Sequence, residues 1–145
     1  RKMKLLHVPA CRISREVKVL QEVAGQSGIY ARFVQLYDFT ETPETSYLVV
    51  EYCAGGSLDE ALLKTGPPGE AKVAHLMAQI LEGLTYLHSK SICHRDVKPQ
   101  SILLAAGGLL SESAQAKLSG FGLAVHIPKG TVNTQKVGTP AFMAP

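Results

Sequence analysis

The stretch HRDVKPQSILL, residues 94–104, decides how the sequence is read. It holds the densest group of reactive side chains in the chain: a histidine, an arginine, an aspartate and a lysine lie in an irregular polar segment that runs into an apolar triplet at residues 102–104. A second short apolar run follows at residues 116–118, after the small-residue loop 105–115. This spacing predicts two short strands joined by a surface loop.

A long helix is predicted before this stretch. From residue 70 to residue 89, apolar side chains recur at i+3 and i+4 steps, which is the pattern of a helix with one buried stripe. Such a stripe needs a substantial core to pack against. Its members are Val73, Leu76, Met77, Ile80, Leu84 and Leu87.

The first half of the chain predicts a helix and a hairpin. Residues 14–24 have helical spacing, with Ser14 as a cap and Gly25 as a stop, and we interpret Lys2 and Lys4 as part of a solvated connection before that helix. Residues 33–52 are rich in β-branched and aromatic side chains around a turn, which predicts two paired strands. The glycines at 55–56 then give a flexible connector, and helical spacing follows them.

Several motifs lie in a fixed order along the chain. A helix with Glu16 comes first, followed by VVEY at 49–52, HRDVKP at 94–99, GFG at 120–122 and GTPAFMAP at 138–145. In these motifs the chain resembles the eukaryotic protein kinases, and the DVKP and GTPAF segments resemble the Ser/Thr branch. The resemblance runs through the whole chain.

The resemblance implies an α+β, two-lobe protein-kinase-like fold that is partial, from the C-helix to the end of the activation segment. Residues 1–53 would form part of the N-lobe, with the C-helix, strands 4 and 5 and the hinge. Residues 54–145 would form the first half of the C-lobe, with helices D and E, the catalytic loop and the activation segment. The Gly-rich loop and the strand with the V-A-I-K lysine are expected to precede Arg1, so the sequence is interpreted as a fragment.

The resemblance also assigns the chemistry. Asp96 would accept the hydrogen bond of the attacking hydroxyl, Lys98 would lie against the transferred phosphate, and Thr139 would brace both. The adenine of ATP would meet backbone groups of the hinge and two apolar side chains. These cofactor-binding positions are Val50, Glu51, Cys53 and Leu103.

Other positions are implied to be structural or regulatory. His94 would pack under Phe121, and Arg95 would anchor the activation segment, in which Thr131 and Thr134 are candidate phosphorylation sites. The residue types alone leave alternatives, since Glu16 also fits a solvated acid near a helix start and Asp96 also fits an organiser of its loop. The full structural set is Glu16, Leu20, Leu36, His94, Arg95, Phe121, Gly122 and Thr139.

The two metal-ligand positions depart from the family pattern. Kinases hold magnesium with the Asp of D-F-G and with the Asn five residues after the catalytic Asp, and these places are Gly120 and Ser101 here. A glycine offers no side-chain oxygen, and a hydroxyl is a poor substitute at a hard cation. The pair of replacements is similar to that in the kinase-like domain of the scaffold CASK, whose phosphate binding dispenses with magnesium. No metal site is therefore expected, and Mg²⁺ binding is in question.

Three functions remain open on this reading. The first is a pseudokinase or impaired kinase that keeps an ATP pocket and acts as a signalling scaffold. The second is an active Ser/Thr kinase that transfers phosphate to protein with little or no metal. The third is an interaction module that binds no nucleotide.

Composition limits the partners and the compartment. The net charge is +3 and the basic residues are scattered, so a nucleic-acid partner is not expected, and a protein substrate or signalling partner is. No apolar run approaches the ~18 residues of a membrane span. The three cysteines have no metal-ligand spacing, which favours a reducing, cytoplasmic location.

Overall fold

The computed structural model describes residues 3–8, 10–25, 28–42, 46–105 and 108–143. Within these ranges a strand and a helix come first, followed by two strands, two helices and four short strands. In chain order they are β1 (Met3–Val8), α1 (Ala10–Glu22), β2 (Leu36–Glu41), β3 (Ser46–Glu51), α2 (Leu58–Thr65), α3 (Glu70–Ser89), β4 (Ile92–Cys93), β5 (Ile102–Leu104), β6 (Ala116–Leu118) and β7 (Val125–His126). Short 3-10 turns lie at Gly28–Arg32, Pro99–Ser101, Phe121–Leu123 and Pro140–Phe142.

A three-stranded antiparallel sheet in the order β1-β3-β2 forms the first layer. The β2–β3 hairpin confirms the strands predicted within residues 33–52. The prediction of a solvated connection was wrong for Lys4, which lies in the strand β1 and pairs with Val50 in its register, whereas Lys2 lies outside the described residues. The partners of β1 lie 38 to 48 residues away in the sequence, so the short segment itself gave no local sign of the strand.

Helix α1 packs beside this sheet and begins earlier than predicted, at Ala10 instead of Ser14. Ser14 therefore lies inside the helix and does not cap it. Serine is only mildly unfavourable inside a helix, so its presence in the sequence did not have to mark a start. The buried face of α1 includes Glu16, Val17, Val19 and Leu20.

The connector at residues 55–56 leads into α2, whose start is fixed by a capping box. The Ser57 side chain accepts from the Glu60 backbone N–H, and the Glu60 side chain accepts from the Ser57 backbone N–H. Two backbone donors that the helix itself cannot satisfy are thus paired. The capping box places α2 directly after the hinge, which we define as residues 51–56.

The predicted long helix is confirmed with the same bounds, as α3, but the predicted buried stripe is partly wrong. Val73 and Met77 are each 43% exposed. The buried face contains Gln79 and Gly83 in addition to Leu76, Ile80 and Leu87. Gln79 is buried because its amide bonds to the Ala114 carbonyl and the Ala116 N–H, an interaction that hydrophobicity alone does not reveal.

The predicted strand pair at 102–104 and 116–118 is confirmed as antiparallel β5 and β6. Phe33 connects this pair to the rest of the core: it forms a bridge with Leu118, and its fully buried ring lies 5.8 Å from the ring of Tyr86 and 6.3 Å from that of Phe121. Among the described residues, no helix combines the length and the apolar character that crossing a bilayer requires.

Candidate active site

A cavity of about 660 Å³ lies between the sheet, α1 and the β5–β6 pair. Its volume is in the range of pockets that take a nucleotide-sized ligand. The sheet contributes Val50, the segment before β2 contributes Val34, α1 contributes Glu16 and Leu20, and Gly120 lies on the far wall. The hinge, α2 and β5 also line the cavity, for example through Cys53, Asp59 and Leu103, respectively.

The four positions assigned to adenine, namely Val50, Glu51, Cys53 and Leu103, all line this cavity. The backbone N–H of Glu51 donates to the Gln35 carbonyl at 2.8 Å, and the Cys53 carbonyl accepts from the Gly56 N–H at 3.1 Å. The first bond holds the start of the hinge to the segment before β2, and the second closes a turn within the hinge. The N–H of Glu51 is consequently not available to a ligand.

An ion pair that the sequence analysis did not predict joins the hinge to β6. Lys117 Nζ lies 2.8 Å from Glu51 Oε2, and the two side chains are only 9% and 21% exposed. Lys117 is the middle residue of β6, so the pair ties the hinge to the strand that leads to Gly120. The signal available was a lysine inside a short apolar run, which is unusual unless the charge is paired.

Glu16 is buried, and its side chain extends from α1 toward the turn that contains Phe121. Its carboxylate accepts a hydrogen bond from the backbone N–H of Phe121. Burial raises the pKa of Glu16 above its usual value, and the bond from Phe121 opposes that rise. Glu16 is therefore not the solvated surface acid that its sequence position also allowed.

The loop that begins at His94 carries the two predicted catalytic residues, Asp96 and Lys98, and both contact Thr139, which was predicted to brace them. Lys98 Nζ lies 2.8 Å from Asp96 Oδ2 and donates to Thr139 Oγ1 at 2.7 Å, and Thr139 Oγ1 donates to Asp96 Oδ1 at 2.6 Å. Desolvation acts to raise the pKa of Asp96, but the bonds and charge of Lys98 and the bond from Thr139 outweigh it and hold that pKa below its usual value. Asp96 is thus ionised at neutral pH.

Asp96 faces a second, smaller cavity of about 300 Å³ and does not line the larger one. This cavity lies between the loop and the segment from 133 to 143, and its other walls include Val97, Val137, Phe142 and Met143. Phe142 is 50% exposed. The smaller cavity therefore opens to solvent beside an ionised carboxylate.

His94 and Arg95 hold the loop in place. The ring centroids of His94 and Phe121 are 5.0 Å apart, and His94 Nε2 bonds to the Ser119 carbonyl at 2.9 Å. Burial lowers the pKa of His94, although the Ser119 carbonyl and the charge of Asp96 oppose this. Arg95 has a left-handed φ of 64°, rare for a residue with a side chain, and its guanidinium donates to the Leu123 carbonyl and to Gln135 Oε1.

The remaining predicted structural positions lie in or beside the core. Leu20 and Phe121 are buried, and Leu36 is half-buried against the same core. Gly122 is half-buried in the 3-10 turn with Phe121.

The two positions that depart from the family pattern differ in their surroundings. Gly120 lines the larger cavity with a left-handed φ of 75°, and a Cβ there would lie 3.6 Å from the Ser101 Cβ, an ordinary contact. The Ser101 side chain is buried and used within its own loop. Its hydroxyl accepts from the Lys98 N–H at 3.0 Å and lies 2.9 and 3.0 Å from the carbonyls of Lys98 and Asp96.

The protein kinase domain is the family whose model this chain matches, over residues 2–145. The chain therefore belongs to the protein kinase family, and the predicted α+β kinase-like fold is confirmed.

Similar curated proteins are named as protein kinases. They include the serine/threonine-protein kinase PEPKR2 of Arabidopsis thaliana, 34% identical over 133 residues, the serine/threonine-protein kinase ULK1 of Homo sapiens, 36% identical over 136 residues, and the death-associated protein kinase dapk-1 of Caenorhabditis elegans, 36% identical over 133 residues. Each match covers 92% of this chain, while the chain spans 26%, 12% and 9% of the respective relatives. The predicted Ser/Thr type is thereby confirmed at the level of the domain.

Proposed function

We propose that this chain is part of a Ser/Thr kinase-family domain that binds ATP in the larger cavity without a fixed magnesium ion and acts mainly as a signalling scaffold. The observation that carries the proposal is the pair Gly120 and Ser101. Gly120 has no side chain to offer, and the Ser101 hydroxyl is used inside its own loop. The side chains at these two positions do not fit a fixed magnesium site of the family type.

Nucleotide binding is supported by the rest of the cavity. The hinge presents backbone groups between the apolar side chains of Val50 and Leu103, which suits a flat heteroaromatic ring with polar edges. Glu51 is fixed by Lys117, so the hinge is held in shape before a ligand arrives. Pre-organisation of this kind lowers the entropic cost of binding.

We include Lys4 in the proposed ATP site because it lies in β1, a strand that the sequence analysis did not predict. It pairs with Val50 across β1 and β3, and Val50 lines the cavity. In the family, a lysine on the strand before the Glu-bearing helix pairs with the α- and β-phosphates. We expect Lys4→Met to weaken binding of ATP more than binding of adenosine, and equal losses would count against this role.

A second candidate is an active kinase that works with weakly held metal or none, and one observation favours it. Asp96 is ionised and held by Lys98 and Thr139, beside the open smaller cavity. In this position its carboxylate could accept a hydrogen bond from a substrate hydroxyl, and Lys98 could face the transferred phosphate. Protein phosphorylation with chelator present, abolished by Asp96→Asn, would favour this candidate over the scaffold.

The deciding measurement is a thermal shift of the complete kinase domain with ATP, once with magnesium and once with a chelator. A ligand that binds only the folded state stabilises it in proportion to occupancy, by about 2.7 kcal/mol at a hundredfold excess over Kd. Equal stabilisation in both conditions is expected. Stabilisation only with magnesium would contradict the metal-free proposal, and no stabilisation in either condition would leave an interaction module that binds no nucleotide.

A further inference from the structure

A separate groove of about 240 Å³ lies on the outer side of α1. One wall is a single face of the helix, formed by Arg15, Lys18, Val19 and Glu22 at positions i, i+3, i+4 and i+7. The other wall is residues 124–126, which contain β7. We call this feature the outer groove, and it shares no lining residue with the larger cavity.

The floor of the outer groove is apolar and its rim is basic. Val19 and Ala124 are fully or almost fully buried beneath it, whereas Arg15 and Lys18 are exposed. The acid on the rim, Glu22, is engaged by His126, with Oε1 at 3.1 Å from Nε2. Within the part of the chain that the structure describes, neither Arg15 nor Lys18 takes part in an ion pair. With His126 neutral, the rim therefore carries two cationic side chains against the single carboxylate of Glu22 and keeps an excess of positive charge.

We propose that the outer groove docks an acidic peptide segment of a partner protein. Carboxylates of the segment would pair with Arg15 and Lys18, and an apolar side chain between them would cover the floor. Arginine suits this task because its planar guanidinium binds a carboxylate with two parallel hydrogen bonds. Val19 and Ala124 expose almost no surface, so the half-buried Val125 beside them supplies the apolar contact, and Arg15 and Lys18 supply the orientation and the preference for acidic sequences.

Occupation of the outer groove would act on the larger cavity through α1. The groove spans α1 and the segment after Phe121, and Glu16, the neighbour of Arg15, already bonds to the Phe121 N–H across the same boundary. A segment that touches both walls binds best when α1 and residues 121–126 are packed together. It would therefore favour the arrangement in which the Glu16–Phe121 bond is formed, since a ligand shifts an equilibrium toward the state it binds better.

The test selects binding peptides on the full-length protein that contains this chain, from a displayed library of random twelve-residue peptides. Enriched peptides are expected to combine Asp or Glu with at least one apolar residue. Their affinity should fall by about tenfold or more for the R15E/K18E variant, which reverses both rim charges. It should stay within about twofold for K129E/K136E, which changes the same number of exposed charges outside the groove.

Three outcomes would overturn the proposal. They are the enrichment of no peptide, the enrichment of peptides without acidic residues, and binding that R15E/K18E and K129E/K136E weaken equally. The milder R15A/K18A variant, with its thermal midpoint measured beside the wild type, separates lost binding from lost folding. Nucleotide binding by R15A/K18A should be unchanged without peptide, so failure of the outer groove is distinguishable from failure of the ATP site.

Discussion

The carboxylate of Glu16 accepts a hydrogen bond from the backbone N–H of Phe121, and this bond ties the buried face of α1 to the turn that follows Gly120. It joins two segments more than one hundred residues apart in the sequence. Because burial raises the pKa of Glu16, the charged form is stabilised less here than in water, although the bond itself favours it. The hydrogen bond that Glu16 accepts therefore stabilises the fold, whereas the burial of its negative charge destabilises it.

Replacement of Glu16 should separate these two effects. Glu16→Gln keeps an acceptor oxygen without the buried charge, so we expect the free energy of unfolding at neutral pH to be unchanged or higher. Glu16→Ala leaves the Phe121 N–H without its partner, which should cost about 1–3 kcal/mol. Denaturant unfolding of the complete domain measures both values. If Gln is as destabilising as Ala, the negative charge itself is needed, as it would be beside a cation.

His94 should make the stability of the domain depend on pH. Burial lowers its pKa in the folded state, so between that value and the usual histidine pKa of about 6.5 the unfolded chain binds a proton that the folded chain does not. The contribution of His94 to stability is therefore fully present above its usual pKa and is lost as the pH falls through this window, and below the folded-state pKa it does not change further. Thermal midpoints from pH 7.5 to 5 should decrease for the wild type.

The variant His94→Phe provides the control for this effect. It keeps an aromatic ring against Phe121 but cannot titrate, so its profile should be flatter between pH 7 and 5, whatever its absolute midpoint. Parallel profiles for the two proteins would show that another group is responsible.

Local patterns predicted those parts of the fold that depend on local sequence. The bounds of α3, the β2–β3 hairpin and the β5–β6 pair follow from residue spacing and turn residues within a few positions. The strand β1 depends on pairing with β3, and the burial of Gln79 depends on carbonyl and N–H groups of a distant loop, so neither was visible locally. Periodicity reports hydrophobicity and not hydrogen bonding, which is why Met77 was predicted buried and Gln79 was not.

The candidate site was predictable where a motif fixes the spacing. The contacts among Asp96, Lys98 and Thr139 join groups that the sequence already singled out. The Lys117–Glu51 pair was not predictable, because nothing in the spacing of the two residues relates them until β6 and the hinge are placed side by side. The roles of these residues in nucleotide binding and phosphate transfer stay predictions.

Restoring the two family ligands should make nucleotide binding depend on magnesium. The double variant Gly120→Asp, Ser101→Asn returns a carboxylate to the wall of the larger cavity and a carboxamide to the neighbouring position, since a Cβ at residue 120 would lie 3.6 Å from the Cβ of residue 101. Space exists at residue 120, and the left-handed φ of 75° costs a side chain about 1–2 kcal/mol, least for Asp and Asn. We expect ATP to raise the midpoint of this variant more with magnesium than with chelator, while the wild type shows no difference. A wild type that already depends on magnesium would contradict the expectation.

Breaking the ion pair between Lys117 and Glu51 should destabilise the hinge. Lys117→Met leaves the partly buried Glu51 carboxylate without its main partner, and we expect a loss of about 1–3 kcal/mol in the free energy of unfolding. The double variant with Glu51→Gln should recover part of that loss, because no unpaired charge remains. A double-mutant cycle from urea unfolding gives the coupling energy, and a value near zero would mean that the pair does not stabilise the fold.

Gly55 is required by the close approach of the hinge to β5. A Cβ at this position would lie 2.7 Å from the Leu104 Cβ and 2.8 Å from the Leu104 carbonyl oxygen, and the Gly55 N–H donates to that same oxygen at 3.0 Å. Gly55→Ala must therefore move the hinge or break this bond, and we expect a loss of about 1–3 kcal/mol together with weaker ATP binding. Gly69→Ala is the matched control, since a Cβ there meets nothing within 4 Å, and it should cost less than about 1 kcal/mol and leave ATP binding unchanged. Thermal unfolding and ATP titration of both variants measure the difference, and equal effects would show that the close approach at Gly55 does not shape the ATP site.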